Sequence, residues 1–316
     1  MRTRILVTGA TGFLGSHVVR SLAATDGEVY ALARQAADRW RLTELGGRIL
    51  WVEGDLSEPN SIVQAVKSVF PAVVIHCAAY GVDNRQQDGQ MAIKVNILGT
   101  QALLDASLSA KVQRFIHTGT CFEYGPIDHP IDEKETLEPV TNYGASKAAS
   151  TLIVLQQGKE NGLPTVVLRL FGLYGPCEGA HKIVPQVIRA CLDVTPFDLT
   201  GGEQIRDYTY VKDIADLYAR LALGIDFPGG QIFNIGSGSP ITIRELGTKI
   251  AHLLGGENLL CWGKLPYRHG EMRMLVADIT KAERLLNWQP VTDLQEGLQK
   301  TINYYRQNKN NRRDIL

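Results

Sequence analysis

The sequence predicts an α/β protein in which a doubly wound parallel sheet carries helices on both faces, with a smaller subdomain toward the carboxyl end. Short apolar runs alternate with amphipathic helical patterns throughout residues 1–170. The first apolar run leads directly into spaced glycines and a helical pattern. The alternation breaks at residues 172–202, where Gly, Pro and longer loops predominate. We therefore expect residues 1–170 to form the sheet domain, with returns from about 207–236, and residues 171–316 to supply a discontinuous subdomain.

The strands of the predicted sheet are short and apolar, as strands buried on both faces are. They are predicted at residues 5–7, 29–32, 49–52, 73–76, 115–118 and 165–168. A helix is predicted over residues 91–108, with Val95, Leu98 and Leu103 facing inward. Another helix begins near Tyr143.

The carboxyl half is predicted to pass back and forth between the sheet and the subdomain. Residues 213–223 have a helical pattern, and residues 232–235 form a strand-like apolar run. Thr242, followed three residues later by Glu245, is a capping box that predicts the start of a further helix.

The composition is that of an ordinary globular chain, with 316 residues of which 44% are hydrophobic. Its 33 basic and 33 acidic residues cancel, so no long-range field should draw it to nucleic acid or to an anionic membrane. No apolar stretch approaches the roughly 18 residues of a membrane-spanning helix, and Met1 leads into the first strand without room for a signal peptide. We therefore expect a cytoplasmic protein that binds neither nucleic acid nor membranes.

The cysteines and acidic residues show no metal-site pattern. The five cysteines are scattered without a CxxC pair, which favours reduced thiols over disulfides or a zinc site. The acidic residues of segment 128–138 lack metal-ligand spacing, and we interpret the segment as a solvated loop. No metal is expected.

The first strand and helix enclose glycines at three-residue spacing. Gly9 permits a tight turn, Gly12 lets the backbone approach a pyrophosphate, and Gly15 lets the helix pack closely on the strand. The phosphates would lie at the helix N-terminus. The alternative is a glycine-rich turn without a ligand. Because strand, turn and helix all occur in the required order, the pattern predicts a dinucleotide site, and the small Ala78 and Ala79 after the fourth strand would let a flat cofactor lie against the backbone.

Tyr143 and Lys147 stand four residues apart and should share one face of a helix, about one turn from each other. An ammonium within a few Å favours the phenolate and can lower the pKa of a tyrosine by roughly 1–3 units. Tyr143 would then be a workable proton donor or acceptor. The alternative is a Tyr and a Lys on a solvated helix face. The position after the fifth strand, where strand ends form the ligand crevice, favours catalysis.

These residues give the chain a resemblance to the extended short-chain dehydrogenases/reductases, in the branch of nucleotide-sugar epimerases and dehydratases. The resemblance covers nearly the whole chain, and it implies a Rossmann-type fold with a smaller carboxyl-terminal substrate-binding subdomain. The matching positions are Gly9, Gly12 and Gly15, Tyr143 and Lys147, Thr118-Gly119-Thr120 ahead of Tyr124-Gly125, residues 169–176, Arg206-Asp207-Tyr208, and Phe233-Asn234-Ile235-Gly236.

The resemblance implies a role for each catalytic residue. Thr120 would hydrogen-bond the sugar oxygen at the reacting carbon, Tyr143 would move its proton, and Lys147 would hold the nicotinamide ribose while tuning Tyr143. Arg206 and Arg268 would grip the substrate diphosphate, a task that suits the guanidinium fork.

The resemblance also implies the other contacts. Cys121 and Phe122 would line the substrate side beside Thr120. The predicted cofactor-binding residues are Gly9, Thr11, Gly12, Phe13, Leu14, Arg34, Asp55, Leu56, Ala78, Ala79, Tyr143 and Lys147.

Two departures from the family pattern narrow the reaction. The 4,6-dehydratases of the family place Asp-Glu or Ser-Glu directly after the catalytic Thr, whereas this chain has Cys121 and Phe122 there. Glu123 follows one position late and should point elsewhere, so dehydration is disfavoured. Gly172 stands where relatives commonly have an Asn that contacts substrate.

The end of the second strand bears on the choice of cofactor. NAD-binding members have a carboxylate there for the ribose hydroxyl, but this chain has Ala33 and Arg34, with Arg39 and Arg41 downstream. A missing carboxylate and an added cation favour a 2′-phosphate and hence NADP(H). The alternative is that Arg34 is simply exposed and that NAD(H) binds.

The sequence therefore predicts an NADP(H)-dependent reductase that acts on the 4-keto group of an NDP-4-keto-6-deoxyhexose, with a nucleoside-diphosphate sugar as the small-molecule partner. The first alternative is an NAD-dependent NDP-sugar 4-epimerase that uses the same Thr120, Tyr143 and Lys147. A non-catalytic NADP(H)-sensing scaffold is disfavoured, because such proteins lose the Tyr or the Lys. By resemblance alone, helices at residues 91–108 and 143–157 would pair in a homodimer.

Overall fold

The computed structural model describes residues 2–83, 85–224, 227, 229–267 and 270–309. The strands are β1 Arg4–Thr8, β2 Glu28–Ala33, β3 Leu50–Glu53, β4 Val73–His76, β5 Arg114–Thr120, β6 Thr165–Leu170, β7 Gly172–Tyr174, β8 Phe197–Asp198, β9 Ile205–Tyr210, β10 Gln231–Ile235, β11 Pro240–Thr242, β12 Leu260–Cys261 and β13 Met274–Leu275. The helices are α1 Phe13–Ala23, α2 Pro59–Val69, α3 Gly89–Ala92, α4 Gly99–Ser109, α5 Asn142–Asn161, α6 Ile183–Leu192, α7 Val211–Leu223, α8 Ile243–Leu254, α9 Thr280–Leu286 and α10 Leu294–Gln307.

The main sheet has seven parallel strands in the order β10-β6-β5-β4-β1-β2-β3. The chain starts in the middle, at β1, winds outward to β3, and then crosses to β4 on the other side. The predicted doubly wound parallel sheet is therefore confirmed. The change of direction between β1 and β4 opens a crevice at the carboxyl ends of these strands, which is where such sheets bind ligands.

Each face of the main sheet buries its own hydrophobic core. One face carries Val7, Ile75 and Ile116 and is covered by α1, α7 and α9. The other carries Leu6 and Val74 and is covered by α2, α4 and α5. Because successive strand residues point to opposite faces, strands buried on both sides are apolar throughout.

The carboxyl half returns to the main sheet and also builds a second layer. Helix α7 packs on α1, and β10 pairs with β6 at the sheet edge. Strand β9 pairs with β7, β11 and β13 in a small sheet, and a third core lies among α6, α8 and α10. The capping box of Thr242 and Glu245 is confirmed at the start of α8. The exact division into two domains stays a prediction.

The predicted helix over residues 91–108 is interrupted by a π-helical turn, Ile93–Leu98, between α3 and α4. Leu103 is buried, but Leu98 is 54% exposed, so the prediction that it faces inward was wrong. A π turn has more residues per turn than an α-helix and rotates the following side chains away from the 3.6-residue register. Within the described residues, no helix is long and apolar enough to cross a membrane.

Candidate active site

The glycine turn, residues 9–12, joins β1 to α1. Gly9 has a left-handed φ of +68°, and a Cβ there would lie 2.6 Å from the Ala78 nitrogen. A Cβ on Gly15 would collide with the Gly9 carbonyl oxygen, so this glycine lets the helix pack on the turn. Among described atoms, a Cβ on Gly12 would meet Gly9 O alone, at 3.2 Å. This contact is tight but milder than those at Gly9 and Gly15. Close approach of a phosphate would add a further demand for glycine at position 12.

The amino end of α1 is open to an anion. Gly12 precedes the helix without a side-chain cap, and the first turn has no acidic residue. Thr11, Phe13 and Leu14 are partly exposed around this end. Unpaired backbone N–H groups and the helix dipole favour a phosphate there. The predicted cofactor residues of this turn thus lie where a dinucleotide pyrophosphate fits.

The backbone after β4 forms the opposite wall of the crevice. Ala78 and Ala79 are partly exposed, and Ala78 N donates to Thr8 Oγ1 at 3.3 Å. This bond fixes the backbone after β4 beside the end of β1. The two methyl side chains leave it accessible to a flat ring.

Asn96, which the sequence reasoning missed, ties this wall to α5. It is buried in the π turn; its Oδ1 accepts from Tyr80 N at 2.7 Å, and its Nδ2 donates to Tyr80 O and to Ser146 Oγ. Ser146 lies on the same helix as Tyr143 and Lys147. The signal that could have identified Asn96 is an amide side chain between the apolar Val95 and Ile97 of a helical pattern.

Arg34 lies at the far end of the crevice, beyond β2. It lines a cavity of about 490 Å³ together with Glu53 and Asp55. Within the described part of the chain, its guanidinium has no hydrogen bond or ion pair. The carboxylate of Asp55 accepts from Ser57 N at 2.8 Å and so serves the turn before α2. Leu56 is buried and packs against Gly99 at the start of α4; its contact with a cofactor stays a prediction.

The other two arginines near β2 have contacts within the chain. Arg39 stacks over the Trp51 ring at 4.4 Å. Arg41 donates to Thr11 O at 3.1 Å and to Cys177 O at 3.0 Å. Of these three cations, Arg34 is the one for which the described part of the chain provides no hydrogen bond, ion pair or ring contact.

The amino end of α5 brings Tyr143 to Thr120. Thr141 caps the helix by accepting from Gly144 N at 3.0 Å. A Cβ on Gly144 would collide with Phe122 O, so the glycine lets the first turn of α5 lie against the segment after β5. The hydroxyl of Thr120 lies near that of Tyr143, close enough to lower the pKa of the phenol against the effect of burial. The structure therefore brings the predicted proton donor and the predicted oxygen-binding residue together.

Lys147 lies one turn further along α5, but it does not tune Tyr143 as the sequence suggested. Burial raises the pKa of Tyr143, and the nearby Thr120 hydroxyl opposes that rise. The Lys147 ammonium contacts His117 instead, with Nζ 3.2 Å from Nε2. Burial lowers the pKa of Lys147 to about 8. The structure does not show the predicted lowering of the tyrosine pKa, because burial and the charges of Cys121 and Glu123 raise it and only Thr120 opposes them.

The residues after Thr120 form a short 3-10 turn, Cys121–Glu123. Cys121 is buried beside Tyr143, and burial raises the pKa of its thiol to about 12. Phe122 is partly exposed and lies edge-on to Tyr143, with ring centroids 6.2 Å apart. These two side chains supply no carboxylate to the crevice.

Glu123 points into the core. This agrees with the prediction that its side chain is turned away from the substrate. Its Oε2 accepts from Arg169 Nε at 2.8 Å, and its Oε1 accepts from Thr120 N at 2.9 Å and from Thr151 Oγ1 at 3.0 Å. The carboxylate therefore holds β5, β6 and α5 together, and its position makes it unable to act on a sugar.

Arg206, one of the two predicted diphosphate contacts, lies near Cys121, where its charge counteracts the burial-driven rise of the thiol pKa. Its terminal nitrogens donate to the carbonyl oxygens of Ile205, Met272 and Arg273. These bonds hold the guanidinium at the edge of the small sheet. Arg268, the other predicted contact, lies outside the described residues.

A strap, residues 176–182, crosses from the glycine turn to the loop before α3. At one end, Pro176 O lies 2.9 Å from His17 Nε2 on α1. At the other, Lys182 donates to Val82 O at 3.2 Å. The strap connects both walls of the crevice. The open amino end of α1, the space at Gly12 and the small residues after β4 together fit a dinucleotide.

Comparison with known proteins agrees with this geometry. Residues 5–236 match the model of the NAD dependent epimerase/dehydratase family. A dTDP-glucose 4,6-dehydratase of Streptomyces griseus is 31% identical, over 98% of this chain and 96% of that protein.

Two solved structures share the fold. A UDP-glucose 4-epimerase of Thermotoga maritima with UDP-glucose superposes with a TM-score of 0.89 at 28% identity, over 97% of this chain and 100% of that one. The dTDP-glucose 4,6-dehydratase DesIV of Streptomyces venezuelae, with NAD and TYD bound, gives 0.88 at 31% identity, over 98% of both chains. The chain described here belongs to the NAD dependent epimerase/dehydratase family.

Proposed function

We propose that this protein is an enzyme that modifies nucleoside-diphosphate sugars, and specifically that it reduces the 4-keto group of an NDP-4-keto-6-deoxyhexose with NADPH. The relatives support the substrate class, since they are named for reactions of dTDP-glucose and UDP-glucose. The observation that carries the reaction type is the segment after Thr120. Cys121 is buried in an apolar cluster with Tyr124 and Phe171, and Phe122 lies edge-on to Tyr143, so neither brings a carboxylate to the site. Glu123 is bound to Arg169 in the core.

The residues present support chemistry at a single carbon. The Thr120 hydroxyl lies near that of Tyr143, so a keto oxygen placed between them would be oriented by Thr120 and would receive the Tyr143 proton. A bound nicotinamide would supply the hydride for C4. The carbonyl thereby becomes a hydroxyl. Removing a C5 proton and expelling the C6 hydroxyl would need a further acid–base pair, which Cys121 and Phe122 do not provide.

NADP(H) preference is the second part of the proposal. The unengaged guanidinium of Arg34 at the rim of the cavity after β2 supports it, because a free cation there can pair with a 2′-phosphate. Glu53, which lines the same cavity, opposes it by repulsion. NAD(H), which is bound to the DesIV structure, is the alternative cofactor.

A substrate panel tests the proposal. Purified protein is incubated with 4-keto-6-deoxyhexoses linked to CDP, dTDP or GDP, each with NADPH and separately with NADH. We expect one nucleotide to give rapid net oxidation of NADPH and slower oxidation of NADH. Failure of every 4-keto sugar to oxidise either cofactor, with the protein folded, would overturn the assignment. In parallel, dTDP-glucose alone should yield no 4-keto product, since dehydration is disfavoured.

The second candidate is an NAD-dependent 4-epimerase, and the likeness to the Thermotoga maritima UDP-glucose 4-epimerase favours it. It would use the same Thr120, Tyr143 and Lys147. Such an enzyme keeps its cofactor and regenerates it in each turnover. Purified protein that carries tightly bound NAD and interconverts C4 epimers without net cofactor consumption would establish this function instead.

We also propose that the protein is a homodimer. The helical segment from α3 to α4 packs beside α5, and both present exposed apolar side chains, with Ile93 51%, Leu98 54% and Leu152 56% exposed. Exposed apolar groups on paired helices support burial against a second copy.

A further inference from the structure

The carboxyl end of the main sheet carries a row of buried polar side chains on the face covered by α4 and α5. Thr8, His76 and His117 occupy neighbouring positions of β1, β4 and β5, because the strand register pairs Thr8 with His76 and His76 with His117. Thr8 Oγ1 lies 2.7 Å from His76 Nδ1, and Thr100 Oγ1 lies 2.9 Å from His76 Nε2. Both ring nitrogens of His76 therefore have partners within the fold.

His117 is paired at one nitrogen and not at the other. Its Nε2 lies 3.2 Å from Lys147 Nζ and 3.4 Å from Ser150 Oγ, and the Ser150 hydroxyl already donates to Lys147 O at 2.9 Å. An ammonium can only donate, so Nε2 is the acceptor and the imidazole proton is on Nδ1. Within the described part of the chain, this Nδ1 is buried without a hydrogen-bond partner.

The surrounding charges keep His117 neutral. Burial, the Lys147 ammonium and then His76 hold the pKa of His117 well below its usual value. Burial also lowers the pKa of Lys147, to about 8, although Glu123 and Cys77 oppose that fall. Near neutral pH the contact therefore joins an ammonium donor to a neutral imidazole acceptor, so it makes a hydrogen bond without placing two cations side by side.

We propose that His117 is a positioning residue for Lys147, fixing the ammonium at the crevice edge where, under the proposed function, the cofactor ribose is held. The inference rests on that function only in assigning a dinucleotide to the crevice. The unpaired Nδ1 supports it, because an apolar side chain would fill this core position without burying an unsatisfied donor. His117 makes no contact with substrate; it acts through Lys147.

The experiment compares two polar replacements of different reach. His117→Gln places its amide near the position of Nε2, where its oxygen can still accept from Lys147. His117→Asn is shorter and reaches only to the position of Nδ1. We expect the NADPH dissociation constant, measured by titration calorimetry, to stay within about threefold of wild type for Gln and to rise about tenfold or more for Asn.

A double-mutant cycle separates positioning from general damage. With Lys147→Met as the background no ammonium remains to be fixed, so the Gln and Asn variants should bind NADPH alike. His76→Gln and His76→Asn form the matched control, since they alter a buried histidine whose hydrogen bonds go to Thr8 and Thr100 and not to Lys147, and their dissociation constants should agree within about threefold. Thermal melting of each variant confirms that it folds, and His117→Leu replaces His117→Asn if the latter does not.

The outcomes separate the role of His117 from the proposed function of the protein. Equal affinities of His117→Gln and His117→Asn in the wild-type background overturn the positioning role, and so does a difference that persists with Lys147→Met. Wild-type protein that binds neither NADPH nor NADH overturns the proposed function itself.

Discussion

Tyr143 and Lys147 show how burial changes the chemistry that a sequence spacing suggests. The four-residue spacing correctly places both on one helix, but it contains no information about which neighbours the side chains meet. In the structure, Tyr143 lies near Thr120 and Lys147 contacts His117. These partners come from β5, more than twenty residues earlier, so the contacts could not be predicted from the local pattern.

Replacing Tyr143 with Phe removes the only group assigned to proton transfer. The ring and its edge contact with Phe122 remain, and the hydroxyl is lost. We expect kcat to fall by about 10²–10⁴-fold, while the NADPH dissociation constant changes by less than about twofold. Steady-state kinetics and calorimetry check the two values. Retention of wild-type kcat would show that another group moves the proton.

The buried Lys147 ammonium predicts a pH dependence of cofactor binding. Because its pKa is lowered to about 8, the charge is present below that pH and is lost above it. We expect NADPH affinity to be constant near neutral pH and to fall as the pH rises past about 8. The free energy of unfolding should instead rise with pH over this range. Above pH 8 the unfolded chain retains a proton that the folded chain has released, so raising the pH penalises the unfolded state more.

Binding titrations between pH 6.5 and about 9.5 check this prediction. Lys147→Met is the matched control and should show a flatter profile. A wild-type profile as flat as that of the variant would mean that the ammonium does not contribute to binding.

Among the elements, the first turn of α5 determines the geometry of the site. A Cβ added at Gly144 would overlap the Phe122 carbonyl oxygen. The sequence shows Gly144 only as one residue between Tyr143 and Lys147, so its packing role could not be predicted. The π turn before α4 could not be predicted either. The apolar pattern of the sequence continues through it, although the helix register changes there.

Gly144→Ala should therefore push α5 away from the segment after β5. We expect a loss of about 1–3 kcal/mol in the free energy of unfolding, the range for overpacking, and a fall in kcat because Tyr143 moves relative to Thr120. Gly47→Ala is the control: a Cβ there meets no atom within 4 Å, and the change should stay within about 0.5 kcal/mol. Denaturant unfolding and kinetics measure both; equal behaviour of the two variants would refute the packing argument.

At the scale of the whole molecule, the alternation of apolar runs and helical patterns was enough to predict the main sheet. The observed strands β1 to β6 overlap the predicted ones, since each is an apolar run long enough to be recognised alone. The core ion pair of Glu123 and Arg169 was not predicted, because it joins β5 and β6 across 46 positions of sequence. The small sheet around β9 was not predicted. Its other strands have only two or three residues, and β9 itself contains charged and polar residues, so no apolar run marks it.

The proposed homodimer predicts that charge on the exposed helix face will separate the subunits. The double variant Leu98→Asp/Leu152→Asp would place carboxylates from both copies in the apolar contact between the subunits, where their burial is unfavourable. We expect light scattering to give the mass of two chains for wild type and of one chain for the variant. Val194→Asp and Val291→Asp, at sites 74% and 83% exposed and outside these helices, should leave the mass unchanged. Single-chain mass for wild type would contradict the proposal.

The central claim, that the crevice reduces a sugar carbonyl at C4 while Tyr143 protonates its oxygen, is tested most directly by following isotope from the cofactor. NADPH that carries deuterium at the transferable position is mixed with the enzyme and the 4-keto sugar nucleotide selected by the substrate panel. Mass spectrometry and proton spectra of the product should locate deuterium at C4, with one equivalent of cofactor oxidised per sugar. Product without deuterium, or epimerised sugar with no cofactor oxidised, would contradict the account.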